Sequence, residues 1–211
     1  MVAIGRLAGL SARYVLGLIY RGLGEKALAN RTFDSFFDDY NNGTIDTKNA
    51  EELMYAALGA RYSESFQEAN STFRDAVELD PNLLEANVEW GNTLLEKYEA
   101  GYAEESFDEV LKLDPNHPDA NAGMARVKLE QDYDFAGAIQ HVEKALLANP
   151  RHAGALLVRA EMELDNEQFV DSEKTLDLIL AQNPNDTAAI ATKAASRWLQ
   201  DDKAGYEKLK K

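Results

Sequence analysis

The sequence predicts an all-α chain built as a solenoid of antiparallel helix hairpins, and three observations carry that expectation. Pro81, Pro115, Pro150 and Pro184 are spaced by 34, 35 and 34 residues. Each follows an acidic or amide residue: Asp80, Asp114, Asn149 and Asn183. Between the prolines, small and bulky apolar residues recur at offsets of three and four, which places them on one helix face. A helix pair repeated at about this period cannot bury its apolar face alone, so successive pairs stack.

The units follow in chain order. Residues 10–43 carry Gly17, then Ala29, Phe33 and Phe36. Asn41 stands where a closing proline is expected, and about six extra residues precede the next helix. Residues 50–83 carry Ala57, Ala69, Phe73 and Ala76; residues 84–117 carry Gly91, Ala103, Phe107 and Val110. Residues 118–152 carry Ala125, Ala138, Val142 and Ala145, with one extra residue expected within Asp132–Ala136. Residues 153–186 carry Ala160, Ser172, Leu176 and Ile179, and residues 187–211 form a partial unit with Ala194. In each unit a small residue lets two backbones approach and a larger one fills the space beside it. The prolines stop each second helix, because proline lacks an amide donor and disfavours helix before it. Pro118 instead opens a helix, where its fixed φ is harmless.

Charge is unevenly placed. The chain has 211 residues and a net charge of −15. Residues 1–31 hold five basic groups and one acid, and residues 203–211 hold four and one, so residues 32–202 carry −22. Such an acidic body repels nucleic acid and anionic membrane and favours basic partners. No stretch approaches the ~20 apolar residues of a membrane span. Arg13 and Arg21 bracket the apolar run Tyr14–Tyr20, with no cleavage-site pattern after it, so a signal peptide is not expected. A soluble protein of cytoplasm or periplasm fits these features. The absence of cysteine excludes disulfides, thiolate catalysis and cysteine metal sites.

Catalytic chemistry finds little support. No serine lies in a nucleophile elbow, and no glycine-rich phosphate loop is present. His117 and His152 sit at equivalent turn positions, a hairpin apart, too far to share a metal ion. His141 is expected to face outward on a second helix. Asp38–Asn49 reads DDYNNGTIDTKN and looks like a degenerate calcium loop. Asp38, Asn42 and Asp46 match ligand positions, Gly43 the turn and Ile45 the apolar position, but Tyr40 and Asn49 replace two ligands. The simpler expectation is a turn at Asn42-Gly43, with Asp46 or Thr47 capping the next helix and Glu51 and Glu52 in its first turn. No cofactor is expected.

The small–aromatic–small–proline pattern quoted above resembles the tetratricopeptide repeat family over roughly residues 10 to 200. The resemblance implies helix pairs stacked into a right-handed superhelix whose first helices line a concave groove. On that register the candidate groove residues are Arg61, Tyr62, Asn92, Leu95, Glu96, Arg126, Leu129, Glu130, Glu161, Leu164 and Asp165. Leu95, Leu129 and Leu164 form one column beside Glu96, Glu130 and Asp165, which suits a peptide with apolar anchors and basic flanks. The leucines could instead be partly covered by neighbouring helices. Val88 stands where family members that grip chaperone tails carry lysine, and Glu96 and Glu130 would repel a carboxylate. The implied function is a non-enzymatic interaction module. The alternative is a scaffold ahead of a larger, hydrolytic enzyme with its catalytic domain beyond Lys211. Both ends leave apolar faces: Leu7–Ile19 at the start, and Ile190, Ala194 and Trp198 at the other end. A weak homodimer near Trp198, or a monomer capped by Lys203–Lys211, is expected from them.

Overall fold

The structure, a computed structural model, describes residues 2–97, 99–131 and 133–209. Met1, Tyr98, Asp132, Lys210 and Lys211 therefore lie outside it, including one residue of the expected insertion and two of the expected terminal cap. Among the described residues there are twelve α-helices and no strand. They fall into two compact units, residues 1–113 and 114–211.

The first unit contains α1 (Val2–Gly22), α2 (Lys26–Asn41), α3 (Ala50–Tyr62), α4 (Phe66–Leu79), α5 (Leu84–Leu95) and α6 (Ala100–Leu113). α1 starts eight residues before the repeat register, so residues 2–9 lengthen the first helix. Leu7, Leu10 and Tyr14 of that helix pack on the core around α3. α3 is covered by α1, α2, α4 and α5, and everything from Glu52 to Arg61 is buried. That is why its sequence is apolar or small on nearly all sides. Phe33, Phe36, Phe73 and Phe107 are the largest fully buried side chains. The pairing of small with large residues is direct. A Cβ on Gly17 would lie 2.6 Å from Phe33 Cζ, and one on Gly91 would lie 2.7 Å from Phe107 Cε1. Gly59, which the repeat pattern did not single out, has the same role: a Cβ there would fall on Phe36 Cβ.

The second unit contains α7 (Pro118–Glu130), α8 (Phe135–Ala148), α9 (Ala153–Asp165), α10 (Phe169–Leu180), α11 (Thr187–Leu199) and the short α12 (Lys203–Leu209). Its core is aliphatic and alanine-rich. Ala125, Ala138, Val142, Val158 and Met162 form one cluster, and Leu156, Ala160, Leu176, Ile179 and Ala189 another. Ser172 replaces the recurring alanine of the second helix and is fully buried, but its Oγ donates to Ala160 O at 2.8 Å. That bond removes the penalty of burying a hydroxyl.

The residue before each repeat proline now has a physical reason. Asp80, Asp114, Asn149 and Asn183 each accept, through Oδ1, the backbone N–H two residues on, at 3.0–3.1 Å. Each is an Asx turn across the proline. Asp46 makes the same bond to Lys48 N at 3.0 Å, 34 residues before Asp80, with Thr47 in the proline's place. The segment after α2 is thus a short insertion followed by the ordinary repeat turn. The expected cap at Asp46 or Thr47 is corrected: Asn49 is the N-cap, accepting from Glu52 N at 3.0 Å. Glu52 lies in the first turn of α3 as expected, and it is wholly buried there. Its Oε2 accepts from Asp46 N at 2.9 Å. Its Oε1 lies 2.7 Å from Arg6 Nε, a charge contact without hydrogen-bond alignment. One buried carboxylate therefore ties the insertion and α1 to α3.

Among the described residues, the turns of five helix pairs pass through a left-handed residue. Gly24 occupies that position without strain, whereas Glu64, Tyr133, Glu167 and Asp201 adopt it with positive φ, at about 1 kcal/mol each. Asp134 and Asp186 cap α8 and α11 through their side chains.

Candidate functional site

The candidate residues lie along or just after α3, α5, α7 and α9, and each is described within its own unit. In the first unit Arg61 is only 9% exposed. Its Nη1 donates to Glu89 Oε2 at 2.7 Å, and its Nε donates to Glu96 Oε2 at 3.2 Å. Burial alone would lower the guanidinium's pKa, but its hydrogen bonds to Glu96 and the charges of Glu96 and Glu89 outweigh it and raise it. Tyr62 stacks on Phe33 with ring centroids 4.4 Å apart, and Arg21 lies over its face. Tyr14 closes this cluster; burial, then the charge of Glu89, pushes its phenol far above the ordinary range. Arg61 and Tyr62 are therefore turned into the unit, because α5 supplies carboxylates and α2 an aromatic face. Asn92 and Leu95 are half-buried, and Glu96 is exposed but held by Arg61.

In the second unit Arg126 is half-buried and bridges two carboxylates. Its Nη2 donates to Glu161 Oε2 at 2.9 Å, and its Nη1 to Glu130 Oε1 at 3.4 Å. Asp165 is exposed one turn on from Glu161. One guanidinium thus faces three carboxylates. The Glu161 carboxyl is raised above the ordinary glutamate range. Burial is the main cause, Arg126 opposes it, and the charges of Glu130 and Asp165 add to it. Leu129 packs against the cluster of Ala125, Val142 and Met162 while staying half-exposed, and Leu164 is half-buried.

The two arginine bridges share a sequence interval: Arg61 to Glu96 and Arg126 to Glu161 are both 35 residues. An arginine followed by glutamate one period later was the available signal, and column-by-column reading missed it. Glu89 was missed altogether.

The histidines are structural. His152 caps α9, with Nδ1 accepting from Ala155 N at 3.0 Å, and its Nε2 lies 2.9 Å from Asp119 Oδ1. That contact, chiefly the hydrogen bond, holds the Asp119 carboxyl below its usual range. His117 caps α7 more loosely, at 3.4 Å. His141, expected to face outward, is half-buried and bonded to Asn121 Oδ1 at 2.9 Å. Asn121 in turn donates to Pro115 O and His117 O. Asp38 and Asn42 are exposed, and Asp46 is committed to its turn and lies 3.8 Å from Arg6. Among the described residues no group of three metal-ligating side chains converges. No helix among them is long and apolar enough to cross a membrane.

Comparison with known proteins completes this picture. Residues 129–196 match the family model described as tetratricopeptide repeat. No curated protein matches. Among solved structures, PilF of Pseudomonas aeruginosa is similar over 97% of this chain and 90% of its own, at 19% identity and a TM-score of 0.62. A thermophilic tetratricopeptide repeat protein of Thermus thermophilus is similar over 76% of this chain and 87% of its own, at 14% identity and a TM-score of 0.68. YrrB, described as a tetratricopeptide repeat protein with an unusual peptide-binding site, is similar over 84% and 88%, at 14% identity and a TM-score of 0.50. The matched family model over residues 129–196, and the helix pairs with Asx turns at a period of about 34 residues along the rest of the chain, give this protein the fold of solved tetratricopeptide repeat structures.

Proposed function

We propose that the protein is an interaction module whose second unit binds a peptide or protein segment with apolar anchors and basic flanks. The observation that carries this reading is the local charge imbalance on α7 and α9. Arg126 is shared by Glu130 and Glu161 with Asp165 nearby, which leaves two negative charges beside the half-buried Leu129 and Leu164. A lysine or arginine of a bound segment would supply the missing positive charge, and its apolar neighbours would cover the leucines. In the first unit Arg61 already satisfies Glu96, so that surface contributes shape and the amide of Asn92 more than charge.

A peptide array tests this directly. Peptides alternating leucine and lysine are expected to bind, and leucine–glutamate peptides are not. Glu130→Lys with Asp165→Lys is expected to weaken binding about tenfold or more, as is added salt. Acidity has a defined sign. A cation prefers the ionised form of Glu161, whose pKa is raised in the free protein. Affinity is therefore full near neutral pH and falls as pH drops toward the glutamate range, starting above the ordinary value of 4.5. Equal binding of acidic and basic peptides would overturn the reading.

We also propose weak self-association through the end of the second unit. Trp198 is 60% exposed although its ring lies 5.3 Å from Tyr206 of α12, and Leu199 beside it is exposed too. Seven residues of α12 cap part of this face and leave the rest open. Sedimentation at rising concentration is expected to show a dimer that Trp198→Glu abolishes. Monomeric behaviour of both proteins would assign the whole face to capping.

A further inference from the structure

We propose that the α4–α5–α6 region of the first unit holds a second binding site, specific for a guanidinium carried on an apolar stem. A cleft of about 610 Å3 lies among these helices, away from the arginine bridge of α3 and α5. Trp90 and Tyr102 form its walls, Asn87 and Ser106 its floor, and Glu99 and Glu105 its rim. The floor residues are buried, and the rim residues and Tyr102 are exposed.

The cleft is explained by a departure from the repeat. Asn87 corresponds to Asn121, and Ser106 corresponds to His141. In the α7–α8 pair the equivalent asparagine donates to two turn carbonyls and bonds the histidine at 2.9 Å, which fills the space between the helices. In the α5–α6 pair the short serine donates instead to its own helix, at Tyr102 O. Asn87 is then left 98% buried, lining the cleft, with no side-chain hydrogen-bond partner among the described residues. An amide that lines a cleft is open to a ligand that enters it. Trp90 is held in place by its Nε1–H, which donates to Asn70 Oδ1 at 2.7 Å. Among the described residues Glu99 and Glu105 have no ion-pair partner.

The chemistry of these groups selects the ligand. Flat aromatic walls stack on a planar guanidinium, the Asn87 carbonyl accepts one of its N–H groups, and the rim carboxylates accept others. An ammonium would use the carboxylates but not the flat walls, and a carboxylate ligand would be repelled.

The probe is N-acetyl-arginine amide, with N-acetyl-citrulline amide as its neutral counterpart of the same shape. The readout is the indole N–H resonance of Trp90, told apart from that of Trp198 by Trp198→Phe. The arginine compound is expected to shift the Trp90 resonance saturably, and the citrulline compound to bind about tenfold more weakly. Ser106→His, which restores the partner found in the α7–α8 pair, is expected to close the cleft and abolish the shift. Glu105→Gln, a change at an exposed position, is expected to weaken binding severalfold without touching the core. An unmoved Trp90 resonance, equal response to both compounds, or undiminished binding in Glu105→Gln would overturn the proposal. Because the signal is read at Trp90, failure of the peptide groove in the second unit would leave this result intact, and the converse holds.

Discussion

Replacing Arg61 by alanine is expected to destabilise the first unit by about 3 kcal/mol, measured by urea unfolding. The guanidinium is nearly buried and holds Glu89 and Glu96 together. Its removal takes a charge partner from the half-buried Glu89 and strips the guanidinium from the face of Tyr62, over which it lies at 5.4 Å. Glu96→Gln should cost less than about 1 kcal/mol, because Glu96 is 48% exposed and water can replace the pair. A small effect of Arg61→Ala would mean that the bridge is a surface contact, and Arg61 would return to consideration as a ligand-binding residue.

Phe107→Ala is expected to cost about 4 kcal/mol, the upper part of the range for emptying a core aromatic site. Phe107 is fully buried and rests on Gly91, whose missing side chain is what admits the ring. The two positions should be coupled. Gly91→Ala alone should cost about 2 kcal/mol, since its Cβ would meet Cε1 and Cζ of the ring. In a Phe107→Leu background those atoms are gone, and the same change should cost much less. Additive costs would show that the small–large pairing is incidental.

Much of the fold was legible because its causes are local. Gly17, Gly91, Phe33 and Phe107 show their roles through spacing alone, and Pro81, Pro115, Pro150 and Pro184 mark turns through a fixed φ and a missing donor. The asparagine or aspartate before each proline was visible, but its purpose needed the hydrogen bond to the residue two places on. That same bond shows Asp46 to be a turn residue, which a comparison with ion-binding loops obscured.

The candidate site was less legible because side-chain pairing acts across helices. The register put Glu96, Glu130 and Asp165 in one column, all exposed, but could not show that Arg61 reaches Glu96 or that Arg126 reaches Glu130 and Glu161. His141 was expected at the surface but turned inward toward Asn121, and the burial of Glu52 against Arg6, again a partner distant in sequence, had no local signal. The cleft floored by Asn87 and Ser106 likewise depends on a histidine that one helix pair has and another lacks.

The central claim is that α7 and α9 of the second unit present a surface for an apolar, basic segment. Methyl resonances of Leu129 and Leu164, followed while a leucine–lysine peptide is titrated, test it most directly. The account predicts saturable shifts at both leucines, lost on charge reversal of Glu130 and Asp165. Shifts confined to other residues, or undiminished by that reversal, would contradict it.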